Sequence, residues 1–243
     1  MGPRARVLTL PARILSTLAF APLALLAFVA VTLTILVVAV VHPRRIHATT
    51  RAGCRLIVAA AGVRLAVEGA FPADGTFIVM ANHASSLDMF VLPAILPGRF
   101  TGVMAAEMMN YPLLLPVLRR LKVVPIAREN QERALESLRI AGEALRAGYH
   151  VALLPEGTRS LDGNLLPFKS GGFYMATATR APILPVGIEG AFEYKPKTRW
   201  TIAPRTVTVR IGRPVTPAEY DRLGTAGLKE RVRAEIAALA GQA

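Results

Sequence analysis

The longest apolar run of the chain lies near its amino terminus. Ser16 to Val41 form 26 mostly apolar residues, and no Asp, Glu, Lys or Arg lies between Arg13 and Arg44. As one helix this run would measure about 39 Å, against a hydrocarbon layer of about 30 Å. A secretory signal is the competing interpretation, but its apolar region is only about 7–15 residues long. The run therefore predicts a membrane helix, either as one tilted span or as a hairpin of two short helices, which Pro22, Thr32 and Thr34 would allow.

Beyond this run, short apolar segments alternate with helical patterns. Strand patterns occupy residues 76–82, 151–154, 183–188 and 206–212, with a further short one just before Arg128. Helical patterns cover residues 130–148 and, as a closing amphipathic helix, 217–240. Alternation of this kind favours a mainly parallel sheet flanked by helices. We therefore expect an α/β fold, with a membrane anchor at residues 1–50 and one further domain at residues 51–243.

The positive charge of the chain is concentrated in its apolar half. The net charge is +13, and residues 1–67 contain eight arginines and no acidic residue. Arginines on both sides of the apolar run favour a hairpin with both flanks at one anionic membrane surface. A second basic segment, residues 191–200, alternates aromatic and cationic side chains that could stack on single-stranded nucleic acid. Beside an apolar anchor an anionic bilayer is the simpler partner, so we expect anionic lipids and no nucleic acid.

The sequence contains no pattern typical of a metal or redox centre. Cys54 is the only cysteine, which excludes an intramolecular disulfide. No group of cysteines and histidines has the spacing of zinc ligands. We therefore expect neither a metal nor a bound cofactor.

The segment ANHASSLDMF, residues 81–90, places a histidine and an aspartate five positions apart. On one continuous helix His83 and Asp88 would point about 140° apart, so the chain must turn between them if they are to meet. A strand ending before His83 and a helix starting near Ser85 would let the carboxylate reach the imidazole. Such a pair suits a general base held by an acid. The alternative is a capping box, in which Ser85 and Asp88 only satisfy free N–H groups at a helix start.

Two further groups of polar residues follow candidate strands. Arg128 follows one, and the turn Glu156–Arg159 follows the strand at 151–154. In open parallel sheets, ligands bind beyond the carboxyl ends of the strands, so we expect these groups to meet His83 in one cleft. Gly157 in the turn permits a tight bend, and the planar guanidinium groups of Arg128 and Arg159 can bind phosphate or carboxylate through two hydrogen bonds at once. The pattern predicts an acid–base site beside an anion site, although each piece alone is also typical of an ordinary loop.

These motifs resemble those of the glycerolipid acyltransferases, typified by bacterial 1-acylglycerol-3-phosphate acyltransferase. NHASSLD matches that family's N-H-x4-D motif, and LPEGTRS matches its F-P-E-G-T-R-S block. PFKSGGF and ILPVGI match later blocks in the same order, and the resemblance covers about residues 55–215. The second motif departs from the family pattern, with Lys122, Pro125 and Ala127 where a glycine, an aromatic residue and an aspartate are common.

The resemblance implies a role for each matched position. His83 would be the catalytic base and Asp88 its partner, with no acyl-enzyme intermediate. The acceptor phosphate would lie among Arg128, Glu156, Gly157, Thr158 and Arg159. Asn82 and Lys169, inside the matched motifs, would support the site. Residues 51–243 would then be the catalytic domain.

The implied reaction transfers a fatty acyl group from acyl-CoA or acyl carrier protein to the hydroxyl of 1-acylglycerol 3-phosphate, giving phosphatidic acid. Because the second motif departs from the pattern, glycerol 3-phosphate or a lyso-ornithine lipid remains an alternative acceptor. A protein of another class, which binds anionic lipid or nucleic acid without catalysis, would leave the His83 and Glu156 motifs unexplained. We expect association with the inner (cytoplasmic) membrane if the source is bacterial, with the catalytic domain on the cytoplasmic side.

Overall fold

The computed structural model describes residues 8–112, 115–126 and 131–242, in which helices flank a seven-stranded sheet. The strands are β1 (Val63–Glu68), β2 (Ile78–Ala81), β3 (Arg99–Ala105), β4 (Val124–Ile126), β5 (Tyr149–Leu153), β6 (Ile183–Glu189) and β7 (Arg205–Ile211). The helices are α1 (Leu10–Val41), α2 (Ile46–Ala60), α3 (Asp88–Ile95), α4 (Leu115–Arg120), α5 (Gln131–Arg146), α6 (Gly171–Thr179), α7 (Ala191–Tyr194) and α8 (Pro217–Leu239).

The sheet has the order β1-β7-β6-β2-β5-β3-β4 and is mainly parallel, which confirms the predicted fold class. Strands β4, β3, β5, β2 and β6 all run in one direction. Strand β7 is antiparallel to β6, and β1 is parallel to β7. Strand β4, which contains Pro125, lies at the edge, where a residue without an N–H group breaks no ladder. The carboxyl ends of β2 and β5 are adjacent, and the polar motifs follow them.

Each face of the sheet is covered by its own layer of helices. Alternate residues of β2 point to opposite sides, so that Val79 and Ala81 join a cluster with residues of α2 and α3. Ile78 and Met80 join a second cluster with residues of α5, α6 and α8. Every residue of β2 is therefore buried, as expected for a central strand of a parallel sheet with both faces covered.

Helix α1 is continuous through Pro22, so the hairpin of two short helices within this run is not formed. A proline inside a helix costs about 3 kcal/mol, but α1 is held to the domain on both sides of it. Before Pro22, the hydroxyl of Thr17 accepts a hydrogen bond from the N–H of Ile202 at 3.0 Å. After Pro22, Val31 and Ile35 are buried in a cluster with residues of α2 and α4. Contacts with the domain on both sides of Pro22 therefore keep α1 continuous.

Helices α1 and α2 form an antiparallel pair. Gly53 of α2 lies so close to Val31 that a Cβ at Gly53 would overlap its Cγ1 atom. The predicted division of the chain at residues 50 and 51 falls inside α2. The opposite face of α1 is exposed and apolar, with Leu15, Leu18 and Leu26 more than 60% exposed. Within the described ranges, α1 is the one helix long and apolar enough to cross a membrane.

Candidate active site

His83 and Asp88 meet at the carboxyl end of β2. The chain leaves β2 at Ala81 and turns, so that Asp88 opens α3, three residues later than the predicted start near Ser85. Asp88 is fully buried, and its Oδ2 atom lies 2.9 Å from Nδ1 of His83. The same oxygen accepts the N–H groups of Ala84 and Ser85, each at 2.8 Å. A carboxylate oxygen with these partners fixes the His83 proton on Nδ1 and leaves the Nε2 lone pair available.

The capping contacts considered for Ser85 and Asp88 are present in part: Asp88 Oδ2 accepts the N–H of Ser85 at 2.8 Å, but the Ser85 hydroxyl accepts the N–H of Leu87 and not that of Asp88. Because the same Asp88 oxygen also binds His83, Asp88 does more than satisfy free N–H groups before α3. The Ser85 hydroxyl donates to the carbonyl of Lys195 at 2.8 Å and accepts the N–H of Leu87 at 3.3 Å. Ser85 therefore joins the His83 bend to the loop that follows α7.

Glu156 holds the main chain of His83. Its Oε1 atom accepts the N–H of His83 at 2.6 Å, and its Oε2 atom accepts the N–H of Leu166 at 2.9 Å. The N–H of Ser160 donates to the His83 carbonyl at 3.0 Å, so both polar groups of the His83 backbone are bound by this turn. Burial raises the pKa of the Glu156 carboxyl, and the bonds from Leu166 and His83 oppose that shift.

Asn82 continues the pairing of β2 with β6 through its side chain. Its amide nitrogen donates to the carbonyl of Ile188 at 2.9 Å, and its Oδ1 atom accepts the N–H of Ile188 at 2.7 Å. The side chain thereby replaces main-chain ladder bonds at the point where β2 bends away. Asn82 positions the residue that follows it, His83, and is itself buried.

Gly157 and Lys169 form a close pair in the turn after β5. Gly157 has a φ of +70°, a conformation that residues with a Cβ rarely adopt. A Cβ at this position would lie 3.0 Å from Cε of Lys169, whose stem crosses the turn. The N–H of Lys169 donates to the carbonyl of Pro155 at 2.8 Å. The exposed Thr158 follows Gly157 at the open side of the turn.

A cationic rim lies beside His83. Arg159 is half-buried and makes no ion pair with any carboxylate of the described residues. Lys195 is also half-buried, and burial lowers the pKa of its ammonium group, as do the nearby Arg159 and Arg199. Because Ser85 binds the Lys195 carbonyl, this rim is fixed relative to the His83 bend. Such an arrangement attracts a phosphate or carboxylate. Arg128, the other predicted anion-binding residue, lies outside the described residues.

Helix α3 is also held from its far end by two arginines of α2. Nε of Arg51 donates to the carbonyl of Leu96 at 2.6 Å, and its NH2 group donates to that of Gly98 at 2.9 Å. Nε of Arg55 donates to the carbonyl of Ala94 at 2.8 Å. Cations at the carboxyl end of a helix satisfy its free carbonyls and favour its dipole. Two of the arginines expected at a membrane surface therefore bind main-chain carbonyls of the domain.

Comparison with known proteins fits this geometry. Residues 64–189 match the family model described as Acyltransferase. The chain belongs to the acyltransferase family. The 1-acyl-sn-glycerol-3-phosphate acyltransferase of Cocos nucifera is 29% identical over 168 residues, which make up 69% of this chain and 54% of that protein. The 1-acyl-sn-glycerol-3-phosphate acyltransferase alpha of Homo sapiens is 29% identical over 175 residues, 71% of this chain and 62% of that protein.

The matched part of this acyltransferase therefore spans little more than half the length of these relatives. A solved structure covers more of the fold. The crystal structure of the 1-acyl-sn-glycerophosphate (LPA) acyltransferase PlsC from Thermotoga maritima has a TM-score of 0.76 to this chain at 28% identity. The likeness covers 92% of each chain, so it includes the amino-terminal helices as well as the sheet.

Sequence reasoning missed several contributors to the site of this acyltransferase. Arg51 and Arg55 resemble membrane-flanking charges in the sequence, and only the fold brings them to the end of α3. Ser85 lies within the segment that contains His83 and Asp88, but the partner of its hydroxyl is the Lys195 carbonyl, 110 residues away. In the sequence, Lys195 stands out only as one cation of the basic segment at residues 191–200.

Proposed function

We propose that this protein transfers a fatty acyl group from a thioester to the free hydroxyl of 1-acylglycerol 3-phosphate, giving phosphatidic acid. The observation that carries the proposal is the contact of His83 Nδ1 with the buried Asp88 Oδ2 at 2.9 Å. It leaves Nε2 of His83, whose side chain is 19% exposed, as the proton acceptor at the carboxyl end of the sheet. The names of the matched relatives and of the solved structure support the same acceptor.

The reaction needs one base and no protein nucleophile. His83 Nε2 removes the proton of the lipid hydroxyl while its oxygen attacks the thioester carbonyl carbon, and Asp88 stabilises the imidazolium that forms. The C–S bond then breaks, and the imidazolium returns the proton to the leaving sulfur. The hydroxyls of Ser85 and Ser160 are bound to Lys195 and Asp162, which supports direct transfer without an acyl-enzyme. The acyl donor is acyl-CoA or acyl carrier protein, as a co-substrate and not a cofactor.

The acceptor phosphate is assigned to the cationic rim. Arg159 and Lys195 supply the charge, together with Arg128 as implied by the family motif. Gly157 and Thr158 shape the turn that carries Arg159. The role of Glu156 follows from its contacts: both of its oxygens are bound to main-chain N–H groups, so it positions His83.

Two other acceptors are candidates because of the second motif. Lys122 and Pro125 stand where the family pattern has other residues. Lys122 lies just before the edge strand β4, and Pro125 lies within it. Glycerol 3-phosphate would use the same cationic rim without an acyl chain. A lyso-ornithine lipid would bring a different head group. A panel of the three acceptors, each with labelled acyl-CoA and acyl carrier protein, separates these reactions by their products.

The decisive variant is His83→Ala, compared with His42→Ala, which removes an exposed histidine at the end of α1. We expect turnover to fall by about 10²–10⁴-fold for the first and to be unchanged for the second. Wild-type turnover by a folded His83→Ala protein would contradict the mechanism. If no acceptor and donor yielded product but the protein bound anionic lipid or nucleic acid with steep salt dependence, the non-catalytic alternative would stand instead.

Helix α1 is proposed as the membrane anchor of the enzyme. One face packs on the domain along the helix, while the opposite face exposes leucines, so the helix suits a position within one leaflet beside the domain. Arg13 precedes the apolar run, and the exposed Arg44 and Arg45 follow it. Both flanks would then reach the head groups of the same surface. If the source is bacterial, we place the enzyme at the inner membrane with its active site on the cytoplasmic side.

A further inference from the structure

Three arginines from separate parts of the chain converge at the amino-terminal end of α1. Arg13 lies in the first turn of the helix, Arg199 in the loop after α7, and Arg205 at the start of β7. Burial lowers the pKa of the Arg199 guanidinium, and the charges of Arg13 and Arg205 lower it further. The one carboxylate beside them in the described residues is Glu193, which is mostly exposed and lies 3.8 Å from Arg205. The cluster, here called the arginine corner, therefore carries excess positive charge.

The arginine corner is held in place by hydrogen bonds to the main chain, unlike a patch of mobile surface charges. Arg199 is fixed by three main-chain carbonyls: its Nε atom donates to Thr201 at 3.1 Å, and its NH2 group donates to Glu193 at 2.6 Å and Tyr194 at 3.1 Å. The Thr17 hydroxyl donates to the Arg13 carbonyl at 2.7 Å and accepts the N–H of Ile202 at 3.0 Å, which joins α1 to this loop.

Several polar atoms of the corner lack a partner. Five buried side-chain polar atoms in the described residues make no hydrogen bond, and three of them are Nε of Arg13, Nε of Arg205 and Oγ1 of Thr201. Thr201 is only 1% exposed. A buried donor without an acceptor costs about 1–3 kcal/mol, so these two N–H groups and the Thr201 hydroxyl indicate a missing acceptor.

We propose that the arginine corner binds a phosphate group of an anionic phospholipid, at a site separate from the catalytic centre. Arginine forks and a threonine hydroxyl are the donors that a phosphate accepts. The surroundings favour a lipid as the source of the phosphate. Trp200, next to Arg199, is 66% exposed, and Leu15 and Leu18 on α1 are 69% and 68% exposed. Exposed tryptophan beside apolar residues is typical of the head-group level of a bilayer.

The test compares binding to two kinds of vesicle by the full-length protein. The preference is the ratio of affinities for phosphatidylglycerol-containing and pure phosphatidylcholine vesicles. We expect Arg13→Gln and Arg205→Gln each to lower this preference at least about tenfold, because each removes charge-assisted bonds to one phosphate. The matched control is Lys197→Gln, an exposed cation of the same loop, for which general attraction predicts about a fivefold loss or less.

Two further variants distinguish a site from general attraction. In the double variant Arg13→Gln/Arg205→Gln, a shared phosphate predicts a loss smaller than the product of the two single losses, whereas independent charges would multiply their effects. Arg13→Lys keeps the charge but loses the guanidinium fork, so a site predicts a loss and general attraction predicts none. Losses equal to that of Lys197→Gln, multiplication in the double variant, or a wild-type Arg13→Lys protein would each overturn the proposal.

Wild-type protein in detergent provides a measurement that does not depend on the folding of variants. Short-chain phosphatidylglycerol should raise its melting temperature more than short-chain phosphatidylcholine at the same concentration, and equal shifts would overturn the proposal. If inorganic phosphate at matched ionic strength gave the same shift and abolished the vesicle preference, the ligand would be free phosphate and the lipid source would be wrong. Acyl transfer to micellar acceptor should be unchanged in the variants, which separates this site from the proposed catalytic function.

Discussion

Glu156 binds the main chain of His83 and not its imidazole, with Oε1 of Glu156 accepting the His83 N–H at 2.6 Å. The second oxygen accepts the N–H of Leu166, so a single buried carboxylate joins the end of β2 to the segment after β5. The proposed base, His83, is therefore positioned by two carboxylates. Asp88 orients its ring, and Glu156 fixes its backbone.

Replacing Glu156 with glutamine should lower kcat about 10–100-fold with little change in the KM for the acceptor. The amide nitrogen cannot accept a hydrogen bond, so one buried main-chain N–H, of His83 or Leu166, loses its partner at a cost of about 1–3 kcal/mol. The control is Glu143→Gln, which changes an exposed ion pair with Arg139 on α5. A raised KM with unchanged kcat would instead mean that Glu156 contacts the acceptor.

The arginines of α2 should affect catalysis from the far end of α3. Arg55→Gln and Arg51→Gln release carbonyls of Ala94, Leu96 and Gly98, and the helix they hold begins at Asp88. We expect each change to lower kcat several-fold and to destabilise the fold by about 1–2 kcal/mol.

Arg55→Lys should recover part of the activity lost in Arg55→Gln, since an ammonium group can still donate to one carbonyl. The exposed Arg64 of β1 provides the control substitution Arg64→Gln. If Arg55→Gln bound vesicles less well but kept wild-type turnover on micellar acceptor, its role would be at the membrane surface, as the sequence suggested.

Five of the seven strands in the described residues, the long helices α1, α5 and α8, and the His83–Asp88 pair could be predicted because their signals are local, whereas β1, β3 and α2 were not predicted. Apolar runs fix the strands, and the five-residue spacing requires a turn that the glycine-free segment HASSLD can make with side-chain bonds. The parallel sheet then places the ends of neighbouring strands together. This adjacency is enough to bring the Glu156 turn to His83 without knowledge of the contacts.

The contacts themselves depend on long-range packing and could not be predicted. The main-chain N–H groups that donate to Glu156 come next to it only when the sheet has formed. The carbonyl that Ser85 binds belongs to Lys195, which is distant in the sequence. Arg51 looks like a membrane flank because its neighbours in sequence are apolar or basic. Its partners lie 45 and 47 residues away. The flanking arginines, with Pro22, Thr32 and Thr34, also favoured a hairpin of two short helices, whereas α1 packs on the domain on both sides of Pro22 and is continuous.

Acid should destabilise the fold through His47. This side chain is buried, and its Nδ1 atom accepts the N–H of Phe100 at 3.4 Å, which requires the neutral ring. Burial lowers the pKa of His47 to about 4, and Arg99 and Arg51 contribute to the shift. Between about pH 6.5 and 4 the unfolded chain binds a proton that the folded protein does not, so stability falls as the pH falls through this window.

We expect the free energy of unfolding to decrease by about 3 kcal/mol from this group when the pH is lowered from 7 to 4. His47→Gln retains a side-chain acceptor and does not titrate, so its stability should depend less on pH in urea unfolding experiments. The remaining dependence should include His150, whose pKa burial also lowers. An unchanged pH slope in His47→Gln would show that His47 has the same pKa in the folded and the unfolded protein, and would contradict this prediction.

The exposed face of α1 should deliver the acceptor from a bilayer and contribute little to the chemistry. Leu18 and Leu26 are each 68% exposed, so changing both to glutamine removes apolar contacts with lipid without opening the core. Burying a leucine side chain is worth about 2 kcal/mol, and the double change should therefore weaken vesicle binding at least about a hundredfold.

The matched control is Leu161→Gln/Leu223→Gln, which removes two exposed leucines, 60% and 42% exposed, outside α1. Acyl transfer is measured at one donor concentration with the acceptor in vesicles and in detergent micelles. We expect the α1 variant to lose activity on vesicles and to keep it on micelles, because His83 and the cationic rim do not contact the changed leucines. An equal fractional loss on both presentations would mean that this face of α1 supports the fold or the site itself, and the role of α1 in acceptor delivery would have to be abandoned.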